Sequence, residues 1–234
     1  MIDLTVRSGQ KELLDDFQGS SNQLKLVLED INRVNRLLGG TTITVDAVFR
    51  LIEENKQKSY TILDVGCGDG NMLRQIALKA KKRSISIKLI GIDLSDDSLD
   101  IARQKSVSFP EIEYRKQDVF TLEDLDMDIV LTTLTLHHFK QEDIPKFIHR
   151  FTSMAKLGVV INDLHRSGLA YYLFRAFSTI FIKTHTAKAD GLTSITRGFK
   201  RKELEHFATN LPGTIHEITW RWAFRYQWII KNEE

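Results

Sequence analysis

The run Ile62-Leu63-Asp64-Val65-Gly66-Cys67-Gly68-Asp69-Gly70 joins an apolar strand, an acid and three glycines at alternate positions. Glycines in such a turn bend the chain sharply and let a ligand approach the backbone with no Cβ in the way. N–H groups at the start of the following helix favour an anion such as a carboxylate. Asp64 is poorly placed for a pyrophosphate and well placed for an ammonium, so a ligand carrying both an amino group and a carboxylate would satisfy acid and turn together. A simpler role, hydrogen bonding to loop N–H groups, competes for Asp64. A dinucleotide fingerprint wants a sixth-position glycine, and Asn71 stands there. Asp93 ends the apolar run Leu89-Ile90-Gly91-Ile92 and can accept both hydroxyls of a ribose. Asp118 can accept from an adenine amino group while Val119 packs on the ring; a solvated loop acid is the competing reading.

A second group has the chemistry of proton transfer. His137, His138 and His165 follow strands at the edge where ligands of open α/β sheets bind, and histidine suits base catalysis near neutrality. Asp163, two residues from His165, is expected to orient it. Packed structural histidines are the alternative, as a salt-bridged loop residue is for Arg166. Phe17, His137, His165, Arg166, Tyr171 and Tyr172 are the expected acceptor contacts. No H-x-x-x-H or acid-rich pattern accompanies the histidines, so no metal is expected.

The elements that position these residues can be read from periodicity. Leu13, Leu14 and Phe17, then Leu24, Leu28, Ile31, Val34, Leu37 and Leu38, recur near helical spacing until Gly39-Gly40, and a second amphipathic helix carries Val45, Val48, Phe49 and Ile52 inward. From Tyr60 strands and helices alternate: strands at 61–65, 87–92, 111–116, 128–133 and 159–162, with helices between them, imply a parallel sheet covered on both faces. Residues 168–183 are strongly apolar, 184–196 read as loop and 201–209 as helix. Strands 215–220 and 224–230 are too close for a parallel crossover, which makes them antiparallel neighbours.

Bulk properties narrow the function. The 234 residues suit one well-cored domain, and 42% hydrophobic with 27% charged residues is a globular balance. Thirty-three Lys and Arg against 31 Asp and Glu give a net charge of +2, with no basic stripe for nucleic acid. The cluster Lys79, Lys81, Lys82 and Arg83 reads as the wet end of a helix. Cys67 is the only cysteine, so an intrachain disulfide is excluded. No secretion signal and no apolar run of about 18 residues are present, and a cytoplasmic location without stable membrane insertion is expected.

Residues 62–70, Asp93, Asp118-Val119 and Leu131 to Phe139 resemble class I S-adenosylmethionine-dependent methyltransferases. That resemblance implies an α/β, Rossmann-like three-layer sandwich with a seven-stranded mixed sheet of order 3-2-1-4-5-7-6, the last strand antiparallel. It assigns the methionine part to Asp64 and the turn of Gly66, Cys67, Gly68 and Gly70, the ribose to Asp93 with Leu94 beside it, and the adenine to Asp118 and Val119. S-adenosylmethionine is then the cofactor and S-adenosylhomocysteine its product. Asn32-Arg33-Val34-Asn35-Arg36-Leu37-Leu38-Gly39-Gly40 and Asn162 to Ser167 resemble the bacterial small-molecule branch linked to polyketide, phenolic-lipid or isoprenoid pathways. The implied organisation is a helical extension or lid at 1–56 and a methyltransferase domain at 57–234 with a helical insertion at about 168–196. The expected reaction moves a methyl group to a phenolic, enolic or quinol oxygen of a hydrophobic small molecule, in a monomer or homodimer. Its rivals are C-methylation of a similar acceptor, an NAD-type oxidoreductase and a non-catalytic nucleoside-binding partner protein. An RNA or protein acceptor is disfavoured by the charge balance and the lack of an Asn-Pro-Pro-Tyr-type motif.

Overall fold

A computed structural model describes residues 2–123 and 126–233. Seven strands form one sheet: β1 (Ser59–Val65), β2 (Ser86–Asp93), β3 (Ile112–Lys116), β4 (Met127–Thr133), β5 (Ala155–Leu164), β6 (Thr214–Arg221) and β7 (Arg225–Asn232). Their order is β3-β2-β1-β4-β5-β7-β6, as expected. The first five run parallel, and β7 is antiparallel to both β5 and β6. The chain winds outward in both directions from the β1–β4 pair, which opens a crevice at the C-terminal ends of these strands. Thr132 Oγ1 donates to Val65 O at 2.9 Å and locks the two strand ends together there.

Among the described residues eight α-helices accompany the sheet: α1 (Ser21–Leu37), α2 (Gly40–Glu54), α3 (Asn71–Lys82), α4 (Asp96–Lys105), α5 (Ile144–Met154), α6 (Gly168–Phe181), α7 (His185–Arg197) and α8 (Arg201–Thr209). On one face Val48, Phe49, Leu51, Leu73, Ile76 and Leu99 pack against Ile62, Leu89, Leu131 and Val160. On the other Ile148, Phe151, Leu204 and Phe207 meet Leu63, Val130, Val159 and Trp228. Strands buried on both faces must be apolar throughout, which is why β1 and β4 read as continuous runs. Helix α2, grouped by the sequence with the N-terminal extension, is thus built into the sheet's own core.

Two expectations fail, both at the roof of the crevice. The helical spacing that begins at Leu13 is not one helix. Residues 13–16 form a turn, and α1 starts only at Ser21, where Ser20 and Gln23 make a reciprocal capping box. The expected loop at 184–196 is helix α7. Its local propensity is weak, with Gly191, Thr193 and Thr196, so tertiary contacts decide. Asp190 accepts from the N–H groups of Leu13 and Leu14, at 2.6 and 3.0 Å, and stabilises turn and helix together. A Cβ at Gly191 would lie 2.2 Å from Phe174, so glycine there lets α6 and α7 close.

Candidate active site

The crevice is a cavity of about 1000 Å³. It runs from Asp118, Val119 and Phe120, past the glycine turn, to Trp222 and Arg225, under a roof from α1 (Leu24, Leu28, Ile31) and α6 (Ala170, Leu173, Phe174, Phe177). Asp64, at the end of β1, is 2% exposed and makes no side-chain hydrogen bond among the described residues. Burial and the neighbouring Asp93 charge push its carboxyl up to about 8. A buried acid without a partner, facing a cavity, is prepared for a cationic ligand.

The glycines of the turn divide by task. Gly66, Gly68 and Gly70 all have positive φ. A Cβ at Gly66 would meet Thr135 at 2.6 Å and one at Gly70 would meet the Tyr114 hydroxyl at 2.0 Å, while Gly68 faces open space. Only Gly68 therefore leaves the backbone bare toward a ligand. Within the turn itself most N–H groups are engaged: Gly66 and Cys67 donate to Ile92 O, Gly68 to Asp93, Gly70 to Cys67 O and Asn71 to Asp69. Asp93 Oδ1 also accepts from Ser95 N, and Leu94 is exposed at the cavity mouth. Asp118 caps its own turn by accepting from Phe120 N at 2.9 Å, with buried Val119 beside it.

Asp69 was not among the expected site residues, yet it fixes the roof. Its Oδ2 accepts from Asn32 Nδ2 of α1 and from Lys105 Nζ of α4, both at 2.8 Å. The glycine turn, α1 and α4 are thereby held at one point. Only its place between Gly68 and Gly70 could have marked it from sequence.

A polar cluster stands at the acceptor end. His137 and His138 form a 3-10 turn after β4. His137 Nδ1 is 2.7 Å from Asp163 and its Nε2 is 3.2 Å from Glu12. Burial alone would lower its pKa, but the two carboxylates outweigh that and raise it to about 9. Burial likewise opposes the charge on Asp163 and on Glu12, and both are still held below the usual carboxylate range by His137. His137 is therefore an imidazolium at neutral pH, with both nitrogens engaged.

His138 differs. Its Nδ1 is 2.9 Å from Asp15 Oδ1, while Nε2 stays 3.7 Å from Glu12, beyond hydrogen-bond reach, and the residue lines the cavity. Hydrogen bonding to His138 holds Asp15 far below the usual range. Arg197 fixes the turn by donating to the carbonyls of His137 and His138 and to Asp15. Glu12, His137 and His138 bring ligand-type atoms within 4.8 Å of one another. The acid-rich cluster that linear spacing did not reveal therefore exists in space, with Glu12 and Asp15 contributed by the N-terminal segment.

Four other expectations are corrected. Asp163 faces His137, not His165. His165 accepts from Trp220 Nε1 at 3.3 Å, stacks near Phe224 and Tyr226, and is not part of the cavity wall. Arg166 is fully buried away from the cavity, paired with Glu203 at 2.7 Å and donating to Leu4 O and Gly198 O. Tyr171 and Tyr172 lie on the outer side of α6, off the cavity wall, because the inward stripe is Ala170, Leu173, Phe174 and Phe177. Phe17 does line the cavity.

Residues 62–158 match the family described as a methyltransferase domain. The chain is 29% identical over 126 residues to the ubiquinone/menaquinone biosynthesis C-methyltransferase UbiE of Campylobacter jejuni, covering 52% of this chain and 50% of that protein. It is 28% identical over 121 residues to the putative methyltransferase YqeM of Bacillus subtilis, 50% of this chain and 47% of that one. The match spans about half the length of these curated relatives. The plantazolicin methyltransferase BpumL in complex with SAH superposes with a TM-score of 0.65 over 94% of this chain and 99% of that one, at 14% identity. Magnesium protoporphyrin IX methyltransferase (ChlM) from Synechocystis PCC 6803 with bound SAH gives 0.62 over 95% and 99%, at 16% identity. No helix among the described residues is long and apolar enough to cross a membrane. The methyltransferase-domain match over residues 62–158 thus falls on a sheet with the strand order expected from the resemblance to class I S-adenosylmethionine-dependent methyltransferases.

Proposed function

We propose that the protein methylates an ionisable hydroxyl on a hydrophobic small molecule, with S-adenosylmethionine as donor and His138 as base. The donor's fit rests on Asp64, a buried acid with no partner, which suits an amino group close to a sulfonium. Asp93 takes the ribose hydroxyls, while Asp118, Val119 and Leu94 border the adenine. When bound, the donor supplies a methyl group already activated for in-line displacement. What remains for this chain is to align the acceptor, keep the site dry and receive a proton.

The observation that carries the reading is the His138–Asp15 pair on the wall of a largely apolar cavity. Asp15 holds the Nδ1 proton, so Nε2 presents its lone pair to the acceptor. A phenol of pKa near 10 gains nucleophilicity as its proton moves to Nε2. His137, hydrogen-bonded to Asp163 and Glu12, fixes the turn that carries His138. The apolar roof of α1 and α6 suits an alkyl or aromatic body.

C-methylation is the second reading, favoured by the likeness to a C-methyltransferase. It uses the same base, because a deprotonated phenol or quinol is nucleophilic at oxygen and at the adjacent carbon. Incubation with trideuteromethyl donor and alkylated phenol or quinol probes, followed by mass spectrometry and NMR of the product, tests both. A label on oxygen supports the proposal and one on carbon the second reading; no label on any probe, with donor binding intact, counts against both.

A further inference from the structure

The amides of Gly66, Cys67, Gly68, Gly70 and Asn71 are spent within the protein, so a carboxylate entering the cavity gains from a cation there. Arg225 opens β7 opposite Leu164 and forms part of the cavity wall at 2% exposure. Only one of its nitrogens has a partner: Nη2 donates to Asn35 Oδ1 of α1 at 2.7 Å. Nε and Nη1 are buried with none. Asp163, the acid that acts on it through space, has its oxygens engaged by His137 and the N–H of Leu164. Burial draws the guanidinium down to about 10, which leaves it charged at neutral pH. The site is also built for it from below. A Cβ at Gly40 would lie 2.7 Å from Arg225 Cζ, so glycine at the start of α2 makes room for the planar group.

A buried charge with two silent donors is costly, and an anion recovers that cost. We propose that Arg225, held by Asn35, is a carboxylate-binding site in the wall of the cavity, its guanidinium shifting to offer Nε and Nη1 to the bound anion. Asn35 accepts one N–H and thereby aims the rest. The inference rests on reading the cavity as the donor and acceptor site. Two molecules would bring a carboxylate there: the donor, through its amino-acid part, or an acidic aromatic acceptor.

Calorimetry on the full chain separates these sources. One pair of probes is S-adenosylhomocysteine and its decarboxylated analogue. The other, on protein saturated with S-adenosylhomocysteine, is 2-hydroxybenzoate and 2-hydroxybenzamide. A carboxylate preference of about tenfold or more in one pair, lost in Arg225→Gln and partly kept in Arg225→Lys, supports the site and names its ligand. No preference in either pair overturns it without any variant, and so does a preference that survives Arg225→Gln. Should Arg225→Gln lose its helical circular dichroism, Asn35→Ala replaces it, and an undiminished preference there is the negative result. Failure of S-adenosylhomocysteine to bind at all sinks the donor reading instead, and the benzoate pair on free protein still decides the site.

Discussion

Asp163 Oδ1 lies 2.7 Å from His137 Nδ1, although 26 positions separate them, while His165, two positions away, turns to Trp220. The carboxylate therefore serves the histidine after β4 rather than the one after β5. This relationship separates His137, held between two carboxylates, and His138, which we propose as the base, from His165, which packs off the cavity wall.

The fixed cation has a pH signature in stability. His137 rises from an ordinary value near 6.5 to about 9 on folding, so its contribution is complete below about 6.5 and is lost as pH rises through about 9. Glu12 and Asp163 are lowered, so theirs is present above the ordinary carboxylate range and lost as pH falls. Thermal melts are expected to be most stable between roughly pH 5 and 6.5 and to decline toward pH 9. His137→Gln should lower stability by on the order of a few kcal/mol and flatten the decline toward pH 9, leaving the part that Asp64, raised to about 8, contributes below that pH. An unchanged slope in that variant would refute the assignment.

The base has a kinetic signature. His138→Ala is expected to lower turnover by roughly a hundredfold or more with donor affinity unchanged. Asp15→Asn, which removes the orienting carboxylate, should reduce it less, on the order of tenfold. Stopped-time assays with saturating donor and acceptor decide this. A rise in KM alone, at full turnover, would make His138 a binding residue.

Donor binding should depend on the charge of Asp64. Its carboxyl is raised to about 8 in the free protein, so below that pH an ammonium ligand must first displace a proton. Affinity for S-adenosylhomocysteine is expected to fall by up to about tenfold per unit as pH drops below 8, with one proton released on binding. Asp64→Asn should bind weakly, by roughly 2 kcal/mol, and lose the proton release. Calorimetry in buffers of different ionisation enthalpy measures that proton directly.

Arg166 and His165 should separate stability from activity. Arg166→Ala leaves the carbonyls of Leu4, Thr5 and Gly198 without this donor and Glu203 without its buried cation, and is expected to cost about 3 kcal/mol in denaturant melts. His165→Ala is expected to keep near-normal turnover, since its ring lies outside the cavity wall. A large loss of turnover in a stable His165→Ala protein would return it to the catalytic group.

Local pattern was enough for the sheet and the donor end. Continuous apolar strands, the turn from Gly66 to Gly70, and acids such as Asp64 and Asp93 at strand ends are all short-range signals, because strand and adjoining loop place them together. The closing antiparallel pair followed from the short link between β6 and β7. The acceptor end was decided only by tertiary structure. Glu12 and Asp15 reach His137 and His138 from more than 120 positions away, through a turn that Asp190 of α7 holds in place. Neither that turn nor α7 is encoded strongly by propensity. Each forms because the other satisfies its polar groups and fills its space, as Gly191 does against Phe174. Arg225 meets Asn35 across 190 positions for the same reason. A side chain's partner across the fold depends on where whole elements pack, and linear spacing carries no record of that.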